Sequence, residues 1–98
     1  MTTREIIFDK LRTHKEELFG LGIRNIGLFG SYVRNEQSLN SDIDVIIDFV
    51  PEQENFDNLM AAYDLVENLF LGEQVEIVTK NGLSPHFAPA ILNEVVYV

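Results

Sequence analysis

The sequence contains no cysteine and few basic residues. Its 98 residues hold only 7 Lys and Arg against 16 Asp and Glu, which gives a formal net charge of −9. The absence of cysteine excludes a disulfide scaffold and any zinc site built on cysteine ligands. The scarcity of Lys and Arg argues against binding of long DNA or RNA, because such binding usually requires clustered positive charge. The acidic composition fits better with a metal site or a basic protein partner.

Long apolar segments are also missing. No apolar run approaches the roughly 18 residues that a membrane-spanning helix requires. The N-terminal stretch MTTREIIFDK carries charges at Arg4, Glu5, Asp9 and Lys10, which a signal peptide would not. The sequence therefore predicts a cytoplasmic protein that does not enter a membrane.

Length and apolar content together predict one small domain over residues 1–98. Apolar residues make up 46% of the chain, which is enough for one hydrophobic core. A domain of this size buries only about two thirds of its surface on folding. A partner protein or a homo-oligomer would therefore add useful stability.

The apolar spacing predicts an α/β (α+β) fold. Helical and period-two patterns predict these elements: helices over 3–19 and 55–71, a helical turn over 32–36, strands over 23–29, 42–50 and 74–79, and a last helix from Ser84. The expected architecture is a small mixed three-stranded sheet packed with about four helices.

Two aspartates open the predicted central strand. Asp42 and Asp44 are two positions apart, so strand geometry places both carboxylates on one face. Two negative charges held this close are costly unless a cation lies between them, and carboxylate oxygens suit Mg²⁺. The plainer alternative is a polar turn that enters a strand. Asp48 lies on the same face and is interpreted as a strand-end charge.

A glycine–serine pair follows the first predicted strand. At Gly30 and Ser31 a strand ends and a helical turn begins, where free backbone N–H groups attract phosphate. Arg34 lies three residues further and could reach the same anion. Each feature alone also fits a generic loop with a solvated arginine.

A third acid, Glu76, lies between apolar residues in the last predicted strand. A carboxylate in that position is most simply a solvent-facing residue. If this strand pairs beside the strand over 42–50, however, Glu76 joins Asp42 and Asp44. Three carboxylates, one or two metal ions and a phosphate cradle would form a phosphoryl-transfer site.

The segment GSYVRNEQSLNSDIDVIIDF resembles the Gly-Ser…Asp-x-Asp signature of the DNA polymerase beta-like nucleotidyltransferase superfamily. The length and flanks resemble its minimal branch, the MNT-domain proteins. The resemblance implies the nucleotidyltransferase fold, a triphosphate held by Gly30 and Ser31, and Mg²⁺, expected as two ions, on Asp42 and Asp44. Glu76 stands where the third carboxylate of the family usually falls.

Two departures from the family pattern bear on activity. The third acid is usually Asp, and the extra methylene of Glu76 moves the carboxylate by about an ångström, which matters when positioning drives catalysis. Val33 and Asn35 replace the small residue and the glycine that usually flank Arg34. Both departures are compatible with a domain that binds nucleotide but turns it over poorly.

The resemblance implies a metal-dependent enzyme that transfers AMP from ATP to a partner protein. Minimal nucleotidyltransferases are often paired with HEPN-domain proteins, so the implied role is the antitoxin of a HEPN ribonuclease toxin. One alternative is a degenerate nucleotidyltransferase that neutralises its partner by contact alone. A second alternative is a structural α/β domain that binds no nucleotide.

Overall fold

A computed structural model describes residues 2–98 of the chain. Its elements, in chain order, are α1 (Arg4–Thr13), α2 (Lys15–Gly20), β1 (Ile23–Phe29), β2 (Ile43–Phe49), a 3₁₀ turn (Pro51–Gln53), α3 (Phe56–Leu69), β3 (Val75–Thr79), a second 3₁₀ turn (Lys80–Gly82), α4 (Ala88–Glu94) and β4 (Val96–Tyr97). This mixture of helices and strands confirms the predicted α/β class.

The strands of the described chain form one mixed sheet in the order β3-β2-β1-β4. β1 runs antiparallel to both β2 and β4, whereas β3 runs parallel to β2. The predicted count of three strands is wrong by one, because β4 adds a fourth strand beside β1. β4 has only two residues, which is too short for a period-two pattern to be visible in the sequence.

The hydrophobic core lies between one face of the sheet and the helices. The predicted inward residues of β2, which are Ile43, Val45, Ile47 and Phe49, are all buried. They belong to one cluster with buried residues of the helices: Ile7, Leu11, Leu18, Ala62 and Val66. Burial of these side chains removes apolar surface from water, which is the main force that holds the sheet and helices together.

The helix predicted over 3–19 is divided into α1 and α2 at His14. The Thr13 hydroxyl donates a hydrogen bond to the Asp9 carbonyl oxygen at 2.7 Å, and Nδ1 of His14 lies 2.9 Å from the Lys10 carbonyl oxygen. Such side-chain bonds compete with the helical backbone bonds and favour a bend. The break therefore arises from polar side chains that an apolar periodicity does not register.

The last helix begins later than predicted. The Ser84 carbonyl oxygen accepts hydrogen bonds from the backbone N–H groups of Phe87 and Ala88, so this segment is a turn and α4 starts at Ala88. Pro89 lies in the first helical turn, where its missing N–H is not needed. Of the helices formed by residues 2–98, even the longest falls short of the length and apolar character needed to cross a bilayer.

Candidate nucleotide site

The strand directions bring the predicted site residues to one edge of the sheet. β1 ends where antiparallel β2 begins, and β3 begins beside β2 because these two strands are parallel. Phe29 is the register partner of Asp44, and Asp44 is the register partner of Glu76. Gly30 and Ser31 follow immediately on β1. The condition that the sequence left open, that the strand of Glu76 pairs beside the two-aspartate strand, is therefore met.

The three predicted acids share one electrostatic environment. Asp42 immediately precedes β2, one residue before the strand starts, and Asp44 is the second residue of β2; both are partly buried, whereas Glu76 is exposed on β3. Burial is the largest cause that raises the pKa of Asp44, to about 7, and the charges of Glu76 and Asp42 raise it further. Near neutral pH this carboxyl therefore holds a proton for much of the time. A cation at the site would favour its charged form instead.

The acids do not form a preassembled metal cage. Across residues 2–98, no three His, Cys, Asp or Glu side chains are arranged so that they could hold a metal ion together. Magnesium nevertheless commonly binds through one or two carboxylates, with water and substrate phosphates as its other ligands. Asp42 and Asp44 fit that pattern, because the charge of Asp42 acts on Asp44 and a divalent cation would relieve such repulsion.

Gly30 is required by the geometry around Asp44. Its φ angle is +82°, and a carboxylate oxygen of Asp44 occupies the place where a Cβ atom on Gly30 would lie. A side chain at this position would thus be strained twice, by the backbone and by the carboxylate. The Gly30 carbonyl oxygen also accepts hydrogen bonds from the N–H groups of Val33 and Arg34, which close the turn after β1.

Ser31 and Arg34 belong to that turn. Ser31 is partly buried, and its carbonyl oxygen accepts a hydrogen bond from the Glu36 N–H at 2.9 Å. The Arg34 guanidinium is exposed and forms two ion pairs, with Glu94 at 2.6 Å and with Glu36 at 3.0 Å. The hydrogen bond and the charge of Glu94 are the largest causes that raise the pKa of Arg34. The arginine is therefore near the site but already engaged by acids.

Glu94 is a site residue that the sequence reasoning missed. It is the last residue of α4, and its carboxylate accepts a hydrogen bond from the Gly30 N–H at 2.8 Å. Its charge also contributes to the raised pKa of Asp44. A carboxylate at a helix C-terminus is disfavoured by the helix dipole, and that mismatch is the one signal that the sequence offered. No local spacing connects Glu94 to Gly30, which precedes it by 64 residues.

The sequence model of the nucleotidyltransferase domain matches residues 8–98. This chain belongs to the nucleotidyltransferase domain family. Over 101 residues it is 43% identical to the protein adenylyltransferase MntA of Thermococcus cleftensis, an alignment that covers 100% of this chain and 98% of that protein. The chain is thus a nucleotidyltransferase-like enzyme, as the resemblance implied.

Solved structures share the nucleotidyltransferase fold of this chain. One, assigned as a minimal nucleotidyltransferase, superposes with a TM-score of 0.71 at 27% identity and covers 97% of this chain and 95% of that chain. A toxin–antitoxin structure with AMP-PNP superposes with a TM-score of 0.65 at 24% identity, over 98% of this chain and 72% of that chain. The predicted fold family is therefore confirmed.

Asp48 of this nucleotidyltransferase lies away from the acid cluster, near the opposite end of β2. It is a charge near the strand end, as interpreted, but the residue is only 4% exposed. It accepts hydrogen bonds from Nε of Arg24 at 3.1 Å and from Nδ2 of Asn25 at 3.3 Å. A buried carboxylate is tolerated when such donors compensate its lost hydration. Asp48 therefore has a structural role in joining β1 to β2.

Proposed function

We propose that this nucleotidyltransferase transfers AMP from ATP to a partner protein as the antitoxin of a toxin–antitoxin pair, with residues 1–98 acting as one domain. The observation that carries the proposal is the position of Asp44, which fits against the backbone of Gly30 and is acted on by the charges of Glu76 and Asp42. The 43% identity to a protein adenylyltransferase supports a protein acceptor. The net charge of −9 supports it further, because a long nucleic acid would be repelled.

In this proposal the acids bind magnesium and the turn binds phosphate. Asp42 and Asp44 hold the Mg²⁺ ions, with Glu76 at the third position, and the Gly30 N–H, Ser31 and Arg34 position the triphosphate. When bound, Mg²⁺ neutralises charge on the attacking and leaving oxygens. These residue roles are the ones that the resemblance and the residue spacing imply, and the pairing of β2 with β3 supports them by bringing Asp44 beside Glu76.

The proposed reaction is attack by a hydroxyl oxygen of the partner on the α-phosphorus of ATP. A new P–O bond forms to the acceptor oxygen, the bond to the β-phosphate oxygen breaks, and pyrophosphate leaves. The hydroxyl proton passes to a carboxylate, for which Glu76 is the best placed of the three because it is exposed toward solvent. Positioning of the two reactants supplies much of the rate gain in such a site.

The proposed partner is a toxin, and specifically a HEPN-domain ribonuclease. A ribonuclease must attract RNA and so presents basic surface, which the net charge of −9 on this chain complements. A structure that shares this fold is itself a toxin–antitoxin complex with AMP-PNP, which supports pairing with a toxin. The HEPN assignment rests on the family resemblance.

Label transfer tests the proposal. ATP with a radioactive α-phosphate and Mg²⁺ is incubated with the protein and a co-purified partner, and label on the partner is measured. We expect label with the unchanged enzyme and with Asp64→Asn, which alters an exposed aspartate on α3. We expect at least a hundredfold less with Asp44→Asn, because the metal then loses a charged ligand. Equal labelling by Asp44→Asn would contradict the proposed site.

A second candidate function is neutralisation by contact alone. It is favoured by Glu76, which replaces the usual aspartate, and by the ion pairs that already occupy Arg34. Toxin activity in the presence of Asp44→Asn separates the two functions. If this variant forms the complex but leaves the toxin active, transfer is required. If it neutralises the toxin as well as the unchanged protein does, contact is sufficient.

A further inference from the structure

The carboxylate of Glu94 spans both phosphate-binding donors of the candidate site. Its Oε1 accepts a hydrogen bond from the Gly30 N–H at 2.8 Å, and its Oε2 accepts one from Nη1 of Arg34 at 2.6 Å. One carboxylate thus holds the Gly30 backbone donor, which the family resemblance implies for the triphosphate, and Arg34, whose spacing predicts that it reaches the same anion. The two oxygens of the carboxylate each accept a hydrogen bond from a different donor. Two oxygens of a phosphate group would accept from the same two donors in the same way.

Without these two hydrogen bonds, the position of the Glu94 carboxylate would be electrostatically unfavourable. As the last residue of α4 it lies at the negative end of the helix dipole. It also adds negative charge to an edge that already carries Asp42, Asp44 and Glu76. The two charge-assisted hydrogen bonds are therefore what keeps the carboxylate there, and a stronger anion for the same donors would release it.

We propose that Glu94 is an internal competitor for the triphosphate: it occupies the anion position on Gly30 and Arg34 and must leave before the phosphates of ATP bind. The proposal rests on the proposed function and extends it, since it names a residue that sets nucleotide affinity. Both anions need the same two donors, and a bound triphosphate beside the Glu94 carboxylate would be repelled.

Release of Glu94 requires only movement of its own side chain. The side chain is 28% exposed, so a path to solvent is open along one side. Three rotatable bonds connect the carboxylate to the backbone, and rotation about them frees the Gly30 N–H and Nη1 of Arg34 together, while Nε of Arg34 stays on Glu36. The backbone of α4 and its link to β4 can stay in place, which makes the contact reversible on a side-chain timescale.

Binding of ATP with Mg²⁺, measured by calorimetry without a partner protein, tests the proposal. Glu94→Gln keeps the size of the side chain but removes its charge and its charge-assisted bond to Arg34. We expect the Kd for ATP to fall about tenfold. Glu52→Gln is the matched control, because it removes the same charge from an exposed residue beyond the far end of β2, and its Kd should equal that of the unchanged protein.

A double variant shows whether the gain comes from the freed donors. In Arg34→Gln/Glu94→Gln the guanidinium is absent, so most of the tenfold gain should disappear. Thermal unfolding of each variant confirms that it is folded before binding is measured. If Glu94→Gln binds ATP no more tightly than the unchanged protein does, the proposal is overturned. This holds whether both proteins bind ATP weakly or neither protein binds it.

Failure of this inference and failure of the proposed function give different results. Tighter ATP binding by Glu94→Gln with no label on any partner supports the role of Glu94 and contradicts protein adenylylation. Label on the partner with no gain in affinity supports adenylylation and assigns Glu94 a merely structural contact to the turn after β1.

Discussion

Gly30 and Asp44 show how closely the candidate site depends on single atoms. Gly30 has a positive φ angle, and its missing Cβ leaves the space that the Asp44 carboxylate fills. The turn residue and the proposed metal ligand are thus fitted to each other across two neighbouring strands. A small change at either residue should affect both the fold and nucleotide binding.

Gly30→Ala should lower the free energy of unfolding by about 1–3 kcal/mol, through backbone strain and displacement of Asp44. It should also abolish Mg²⁺-dependent ATP binding, because the carboxylate must move. Gly20→Ala is the control: a Cβ at this helical position meets no atom within 4 Å, so stability should be unchanged or slightly higher. Urea unfolding and calorimetry measure both effects. Equal stability of the two variants would refute the close fit.

The raised pKa of Asp44 predicts how stability depends on pH. The folded protein binds this proton up to about pH 7, whereas the unfolded chain releases it near pH 3.8. The contribution of Asp44 to the free energy of unfolding should therefore be largest below about pH 4 and decrease as the pH rises toward 7. Because Asp44 is only half-buried, solvent screening limits the change to about 1–2 kcal/mol.

Urea unfolding of metal-free protein against Asp44→Asn isolates this contribution. The stability of the unchanged protein relative to the variant should decrease between about pH 4 and pH 7. Added Mg²⁺ should stabilise the unchanged protein more at about pH 8 than at about pH 6, because the cation competes with the proton. Parallel stability curves for the two proteins would show that Asp44 titrates normally.

At the scale of elements, β1 and β2 are joined by polar contacts near one end and by the candidate site at the other. The buried Asp48 carboxylate accepts hydrogen bonds from Arg24 and Asn25 across the strand pair. The register of the two strands shifts between Ile23 and Asn25, so the polar contacts lie at an irregular place in the ladder. Loss of either donor would leave a buried charge without full compensation.

Arg24→Ala should destabilise the protein by about 2 kcal/mol, because it leaves the Asp48 carboxylate buried with one fewer donor. Arg12→Ala serves as the control, since its ion pair with Asp9 is exposed on both sides and should contribute less than about 0.5 kcal/mol. Urea unfolding of both variants provides the comparison. If the two substitutions lower the free energy of unfolding by the same amount, the buried position of Asp48 does not contribute to stability.

At the scale of the whole molecule, the dominant property is negative charge. The formal net charge of −9 produces a field that repels nucleic-acid backbones and attracts basic proteins. Arg34, which belongs to the turn beside the candidate site, is held by Glu94 and Glu36. The charge should therefore favour a basic protein partner over RNA or DNA.

The protein should show no measurable binding to a fluorescent single-stranded RNA of about 20 nucleotides at protein concentrations up to about 10 μM, by anisotropy in about 150 mM salt. Lowering the salt should not reveal binding, because repulsion between like charges increases as screening weakens. Binding that becomes tighter at low salt would instead disclose a local basic surface and would contradict the exclusion of long nucleic acid.

The sequence by itself determined the features that local patterns encode. Alternation in β2 predicted which of its residues enter the core, and the Gly-Ser…Asp-x-Asp spacing predicted the family. These predictions succeeded because side-chain direction in a strand and strand-to-turn chemistry depend on near neighbours along the chain. The strand predicted over 42–50 was one residue too long at its start, because Asp42 precedes β2, yet the charge of Asp42 does act on Asp44.

Only the tertiary structure decided what depends on contacts between distant segments. It paired β3 beside β2 so that Glu76 reaches Asp44, and it added β4 at the other side of β1. It placed the Glu94 carboxylate on Gly30 and Arg34, and it buried Asp48 against Arg24. No periodicity encodes such pairings, because they form when the packing of the whole chain brings separate segments together.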